Sequence, residues 1–520
     1  MIMGNHTRRN FLATAGIGTL GALVSTDASE AAETFRPRPG TRVPSTGTGS
    51  KNQGTYTLTR QIPIYGEYDV VVAGGGPAGI GAAICAARLG AKVLLIEATG
   101  WLGGMGTSGL VNTFGPMTSG TENLAGGLIR EIVETLYERK FLGPTVKPDS
   151  WLEKYRWIPF QIEGYKLLLD ELTTKAGVHV QFFTTVIDAD ADAMRRQVNG
   201  LITQNVEGYH YVKAKTFIDC SGTATFANLC GAKCREPGRD TDRIMSSTLC
   251  AILANVNWNK FKKSEEHELL YKAIDDGHFT INKKDRHLPG IMGRVDQTIA
   301  ALNASHMYNL NALRCRDLTD GIMLGRRIVQ EYLSFYRKYV PGCENVELVT
   351  TANLIGVRET RRIVGEYELN IDDYMARRKF PDQIGIFAKF VDIHAYDDSD
   401  EEWERFIKES GVQQPAGYEA TLRYSPGEYY GIPYGILVPK GWKNLWVAGR
   451  IISADIKAQG SVRAQPACCM MGQAAGTAAV QSIKTGQPGY ELNTETLVQT
   501  LREAKANLPQ EKLSKTMTRS

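Results

Sequence analysis

The stretch that decides the fold is Tyr68-Asp69-Val70-Val71-Val72-Ala73-Gly74-Gly75-Gly76-Pro77-Ala78-Gly79. Its first half is β-branched and short, which predicts a strand. Its second half is a GxGxxG turn, and the apolar spacing of Ile80, Ala83, Ile84, Ala87 and Leu89 predicts a helix after it. A second strand, Lys92 to Ile96, ends at Glu97, eighteen residues past Gly79. In this setting each glycine has a separate task. Gly74 permits the tight turn, Gly76 lets the backbone approach a pyrophosphate, and Gly79 lets the helix lie close to the sheet. The helix start, with Pro77 and Ala78, offers unpaired N–H groups to phosphate. Glu97 is placed to accept from ribose hydroxyls.

Outward from this turn, composition narrows the remaining choices. The chain has 520 residues, 42% hydrophobic and 22% charged, with 53 glycines. That is an ordinary globular composition enriched in glycine, and it excludes disordered, collagen-like and coiled-coil chains. A net charge of +4, from scattered basic residues, gives no support to a nucleic-acid partner. Nine cysteines are too few for a disulfide scaffold of this length. No CxxC pair occurs, and Cys230 and Cys234 lack a second pair, so no metal centre is expected.

The N-terminus carries a separate message. Thr7-Arg8-Arg9-Asn10-Phe11-Leu12 is a twin-arginine motif, followed by an apolar stretch from Phe11 to about Val24 and small residues near Ser29-Glu30-Ala31. This order predicts an export signal over 1–31, with periplasmic or extracellular delivery and no membrane attachment after cleavage. Residues 32–59, rich in Gly, Pro, Ser and Thr, predict a flexible linker.

Two further glycine-rich segments follow. Trp101-Leu102-Gly103-Gly104-Met105-Gly106-Thr107-Ser108-Gly109 is suited to a loop along an extended ligand. Near the C-terminus, Asn444 to Arg450 predicts a strand ending in Gly449, then come Gly460-Ser461 and a small-residue helix containing Gly472 and Ala474. With GGGPAG, the acidic strand end and this glycine loop in place, the chain resembles the FAD-dependent oxidoreductases of glutathione-reductase-like nucleotide fold, distantly related to the fumarate reductase and succinate dehydrogenase flavoproteins. The resemblance covers roughly residues 65 to 490 and implies FAD as cofactor. It implies FAD contacts at Gly74, Gly76, Pro77, Ala78, Gly79, Glu97, Gly103, Gly104, Met105, Gly222, Gly449, Arg450, Gly460, Ser461, Gly472 and Ala474.

The expected fold class is α/β, a Rossmann-like FAD domain interrupted by a second α+β substrate or cap domain. The FAD domain is expected over 60–234, 346–366 and 436–495, the cap over 235–345 and 367–435, and a tail over 496–520. In the cap, Ile322 to Tyr339 predicts an amphipathic helix ended by Gly342. Arg358-Glu359-Thr360-Arg361-Arg362 cannot all face a core, so it reads either as an ion-pair hinge or as an arginine near the ring or an anionic substrate. His306 and His394 are candidate proton acceptors, the latter with Asp392 as neighbour. Tyr434 completes the candidate catalytic set with Arg358.

One strand–turn–helix nucleotide motif disfavours a pyridine-nucleotide reductase, and the adjacent Cys468 and Cys469 disfavour a dithiol relay. The expected activity is FAD-dependent dehydrogenation of a small hydroxylated organic substrate. Reduction of an activated C=C bond and non-catalytic flavin binding are the alternatives. The electron acceptor and oligomeric state stay open.

Overall fold

A computed structural model describes residues 55–147, 157–238, 241, 243–304, 306–410 and 422–509. The expected export signal, with its expected cleavage site, and the part of the expected linker before residue 55 lie outside the described residues.

The quoted stretch forms strand β1 (Ile64–Ala73), a turn, and helix α1 (Pro77–Arg88). Val70 to Ala73 are buried because both edges and both faces of this half-strand are covered. Val70–Ala73 pair in parallel with β2 (Val93–Ile96) on one side and with Thr216–Asp219 on the other. Such doubly covered strands read as continuous apolar runs rather than alternating ones. Helix α2 (Ile162–Ala176) is closed by Gly177 in the left-handed region, at φ 77°. The chain then enters β3 (His179–Gln181), parallel to β2. An antiparallel meander follows: β4 (Thr185–Asp192), β5 (Gln197–Asn205) and β6 (Gly208–Asp219). Leu445–Val447 returns from far along the chain to pair in parallel with the end of β6. The C-terminal ends of β1, β2, β6 and this late strand therefore meet at one edge, where ligands bind in open α/β sheets.

A second, smaller apolar core lies around a four-stranded antiparallel sheet in the order β8-β9-β7-β10. Its strands are β7 (Ala251–Ala254), β8 (Gly290–Arg294), β9 (Ala300–Asn303) and β10 (Glu347–Thr351). Helix α3 (Cys315–Tyr339) buries Ile328, Tyr332 and Phe335 in this core. The helix starts seven residues before the apolar spacing begins, because its first two turns are mostly polar and give this core only Leu318, too little for an apolar stripe.

Two expected boundaries are corrected. Residues 367–435 were grouped with the cap, but Leu369, Tyr374, Ile386, Phe387, Tyr430 and Ile432 belong to the first core. Strand Gln383–Phe387 pairs with Tyr430–Pro433 and packs against helix α4 (Gln465–Thr485). The expected tail from 496 contains most of a helix, Thr494–Glu503, which buries Leu497, Val498 and Leu501. Just beyond it, Lys505 accepts the Gly127 N–H at 2.7 Å, so this segment is fastened to the main core.

Candidate FAD and substrate site

A cavity of about 530 Å³ opens at the C-terminal edge of the main sheet. That volume falls within the range of small-ligand sites. One wall is the glycine turn. Gly74 sits at φ 105°, and a Cβ there would lie 2.5 Å from the Cys220 carbonyl oxygen. Gly75 donates its N–H to Glu97 Oε2 at 2.7 Å, while Glu97 Oε1 accepts from Thr99 N at 2.8 Å. Thr99 Oγ1 also donates to Oε1 at 2.8 Å, so Glu97 holds the turn with three accepted hydrogen bonds and retains an acceptor site for a ribose hydroxyl. Gly76 is the extended N-cap of α1, with Pro77 behind it. A Cβ at Gly76 would meet only Gly104 Cα, at 3.9 Å, so this position opens into the cavity.

Whether these residues suit FAD can be tested on the cradle itself. Gly74, Gly104 and Gly449 all take positive φ (105°, 50° and 93°) at the cavity wall, which removes side chains where a ligand approaches backbone. The first N–H groups of α1 have no partner within the helix. The N-terminus of α4 reaches the same cavity through Ala464, Gln465 and Cys468. Two helix N-termini around one space favour a phosphate-bearing, electron-rich ligand. The residues fit the cofactor.

The opposite wall is charged. Arg450 donates from Nε to Gly222 O and from Nη1 to Val357 O, both at 2.7 Å. Arg358 donates from Nη1 to Ser246 O at 2.7 Å. Among the described residues neither guanidinium is in a recorded ion pair, and burial lowers both to about 10. Asp392 is engaged by Lys389 at 2.6 Å, His394 at 2.9 Å and Arg463 at 3.5 Å. Burial alone would raise its carboxyl, but these three partners hold it well below the usual range. Burial, then Arg358, pushes His394 well below the ordinary imidazole value. The wall as a whole suits an anionic or hydroxyl-bearing ligand.

The cavity collects Gly74, Gly76, Pro77, Ala78, Glu97, Gly104, Met105, Gly222, Gly449, Arg450, Arg358 and His394 from the expected set. Others fall elsewhere. Gly79 packs on the turn, where a Cβ would be 1.7 Å from Gly74 O. Gly103, at φ 99°, packs on Thr107 and Tyr165. Gly472 lies on the Ala78 backbone at the α1–α4 crossing, and Ala474 is wholly buried away from the cavity. Gly460 lies against the Asp392 carbonyl, and Ser461 Oγ donates to Lys389 O at 2.6 Å behind the wall.

Tyr434 is a core residue: its hydroxyl donates to Gly489 O at 2.9 Å and accepts from Trp446 Nε1 at 2.8 Å. His306 is sealed behind the cavity wall, with Nδ1 2.8 Å from Asp285 Oδ2. The arginine motif splits by function. Arg361 pairs with Glu236 at 3.1 Å as a hinge would, while Arg358 faces the cavity.

Sequence reading missed Lys389, Arg463, Gln465 and Asn303 on the wall, and His287 behind it. Asp392 was seen only as a neighbour of His394. Nothing local marks these residues, because they reach the site from separate strands and turns. All nine cysteines are free thiols, and burial pushes the cavity-lining Cys468 up to about 12. No helix among the described residues is long and apolar enough to cross a membrane.

The chain is 58% identical over 45 residues to a dihydrolipoyl dehydrogenase of Trypanosoma brucei brucei, a match covering 9% of each protein. Among solved structures it is similar to a geranylgeranyl bacteriochlorophyll reductase-like protein of Thermoplasma acidophilum, 14% identical, with 84% of this chain and 82% of that one covered and a TM-score of 0.38. It is also similar to GidA of Aquifex aeolicus, 13% identical, with 86% and 69% covered and a TM-score of 0.42. The model of the family described as FAD dependent oxidoreductase matches residues 69–501, most of the chain, and the protein therefore belongs to that family of flavoenzymes.

Proposed function

We propose that this flavoenzyme oxidises a small hydroxylated organic substrate that bears or develops negative charge, removing hydride from the carbon that carries the hydroxyl. When bound, FAD supplies the two-electron acceptor at N5. The observation that carries the reading is the continuity of one cavity from the glycine turn and Glu97 to Arg358, Asp392 and His394. Arg358 and Arg450 hold the anionic or oxygen-bearing end of the substrate, and the buried surroundings strengthen those contacts. The hydroxyl proton leaves at the His394–Asp392 corner. His394 takes the place first given to His306, because it alone of the two reaches the cavity wall.

An anaerobic screen of hydroxylated metabolites for bleaching of the flavin band, near ~450 nm, tests this reading. His394→Gln should retain FAD and slow flavin reduction by the active compound about 10²–10⁴-fold. Bleaching by no hydroxylated compound, with dithionite-reduced protein reoxidised by unsaturated acids, would reverse the direction. That second reading has its own support. Reduction of an activated C=C bond needs a proton donor, and the two buried arginines that line the cavity, lowered by burial to about 10, could each supply one.

Export by the twin-arginine route, to the periplasm or beyond, is proposed from residues 7–31. Replacing Arg8 and Arg9 by lysine should leave yellow holoprotein in the cytoplasm, and unchanged delivery on cell fractionation would contradict the assignment.

A further inference from the structure

Three histidines far apart in sequence converge at the cavity wall, His394 on it and His287 and His306 behind it. His287 precedes β8, His306 follows β9, and His394 comes from the segment after strand Gln383–Phe387. They are 2%, 1% and 4% exposed. One ring nitrogen of each lies within 4.8 Å of those of the other two. The ring centroids stand 4.9 Å apart for His287 and His306, 4.6 Å for His287 and His394, and 5.6 Å for His306 and His394.

The hydrogen bonding of these rings is one-sided. His306 Nδ1 meets Asp285 Oδ2 at 2.8 Å, and His394 Nε2 meets Asp392 Oδ1 at 2.9 Å. The other nitrogen of each ring, His306 Nε2 and His394 Nδ1, has no hydrogen-bond partner among the described residues, and neither does His287 Nδ1. Leaving one buried polar atom unpaired costs about 1–3 kcal/mol. Each of the three neighbouring rings thus carries a buried nitrogen that calls for a partner. Imidazole–imidazole hydrogen bonds would satisfy them, and none is formed.

We propose that His287, His306 and His394 bind one divalent transition-metal ion of the zinc class, leaving a further coordination position open towards the cavity. The donor chemistry selects this class: imidazole suits zinc, iron, nickel and copper, whereas calcium and magnesium require oxygen. Three protein ligands with an open position characterise metal sites that bind a substrate or water. Asp285 and Asp392 are placed as the carboxylates that orient metal-bound histidines through the opposite ring nitrogen.

Tetrahedral bonds of ~2.0–2.1 Å put ligand nitrogens about 3.4 Å apart, so closing from 4.8 Å needs less than about 1 Å of movement per ring. Arg358, Lys389 and Arg463 stand near the cluster and oppose a further cation. Asp285 and Asp392, bonded directly to the His306 and His394 rings, act against that repulsion. His394, which is also on the cavity wall, marks the entry path.

This inference extends the proposed oxidation but does not depend on it. If an ion is bound, it rather than a free ring nitrogen receives the substrate oxygen at the His394–Asp392 corner. FAD content and metal content are measured separately, so either idea can fail alone.

The test uses untagged, full-length holoprotein stripped with a chelator and titrated with CoCl₂ or ZnSO₄, with metal counted by plasma mass spectrometry. Wild type should bind one equivalent per chain, and its cobalt form should show the intense visible bands of a four-coordinate ion to the red of the flavin. His287→Ala and His306→Ala should each lose at least 100-fold in affinity while retaining FAD. Asp285→Asn should lose about 10–100-fold. His210→Ala, on the β5–β6 hairpin, should bind as wild type. Should the histidine variants fail to fold, Asp285→Asn and the wild-type cobalt spectrum decide. Less than one equivalent bound, the weak spectrum of an all-oxygen octahedral ion, or undiminished binding by Asp285→Asn or by folded histidine variants would overturn the site.

Discussion

The glycines of the first turn and those of helix α4 look alike in sequence, and sequence reasoning gave both to FAD. Their surroundings differ. At Gly76 the nearest atom to an added Cβ is Gly104 Cα at 3.9 Å, and the space beyond is the cavity. At Gly472 an added Cβ would lie 1.9 Å from the Ala78 carbonyl oxygen, and at Gly476 it would lie 2.2 Å from that of Ala82. Helix α1 returns the contact: a Cβ at Gly81 would be 2.4 Å from Cys469 O. The turn lacks side chains so that a ligand can approach. The helix lacks them so that another helix can. This close crossing supports the cavity from beneath, because α1 carries the phosphate-binding turn at its start and α4 carries Gln465 and Cys468 at its own.

The sharpest way to break this comparison is Gly472→Val. Overpacking a tight core contact costs about 1–3 kcal/mol or more, and here backbone carbonyl has no side-chain freedom to give. The expected result is loss of the folded holoprotein, read by thermal melting and by FAD retention on gel filtration. A variant that melts like wild type would mean the helices do not cross this closely.

Gly76→Val should behave in the opposite way. Its backbone is extended, at φ −70° and ψ −173°, which valine adopts without strain, and no protein atom stands in the way. The protein should fold, remain colourless and lose only the stabilisation that bound FAD contributes by linkage. Circular dichroism with a flavin assay separates the two. Stoichiometric FAD in this variant would move the pyrophosphate away from the turn.

The smallest effect belongs to Tyr434→Phe. It removes the donor to Gly489 O and the acceptor for Trp446 Nε1, leaving both partners buried. We expect a stability loss of about 1–3 kcal/mol in denaturant titration, with FAD content and flavin reduction unchanged. A large fall in the reduction rate would restore the tyrosine to the catalytic set.

The legible part of the molecule was local. β1, the turn, α1, β2 and Glu97 lie within thirty-odd consecutive residues, and each signals through a neighbour in sequence: β-branching before glycine, glycine before helical spacing, a carboxylate at a strand end. The late strand Leu445–Val447 was legible for the same reason, since Gly449 closes it. The antiparallel sheet β7–β10 was not, because strands of four or five residues drawn from a hundred-residue span leave too little periodicity to detect.

Sequence alone determined that a dinucleotide turn is present and which glycine permits its tight bend. Those properties are carried by backbone conformations and side-chain chemistry that adjacent residues dictate. Only the tertiary structure decided which glycines face a ligand and which face a helix, that His306 lies behind the wall while His394 lies on it, and that Tyr434 is packing. It also brought His287 to the other two histidines. A side chain's direction and partners depend on elements that meet from hundreds of residues away, and hydrophobic burial of the two cores sets that meeting.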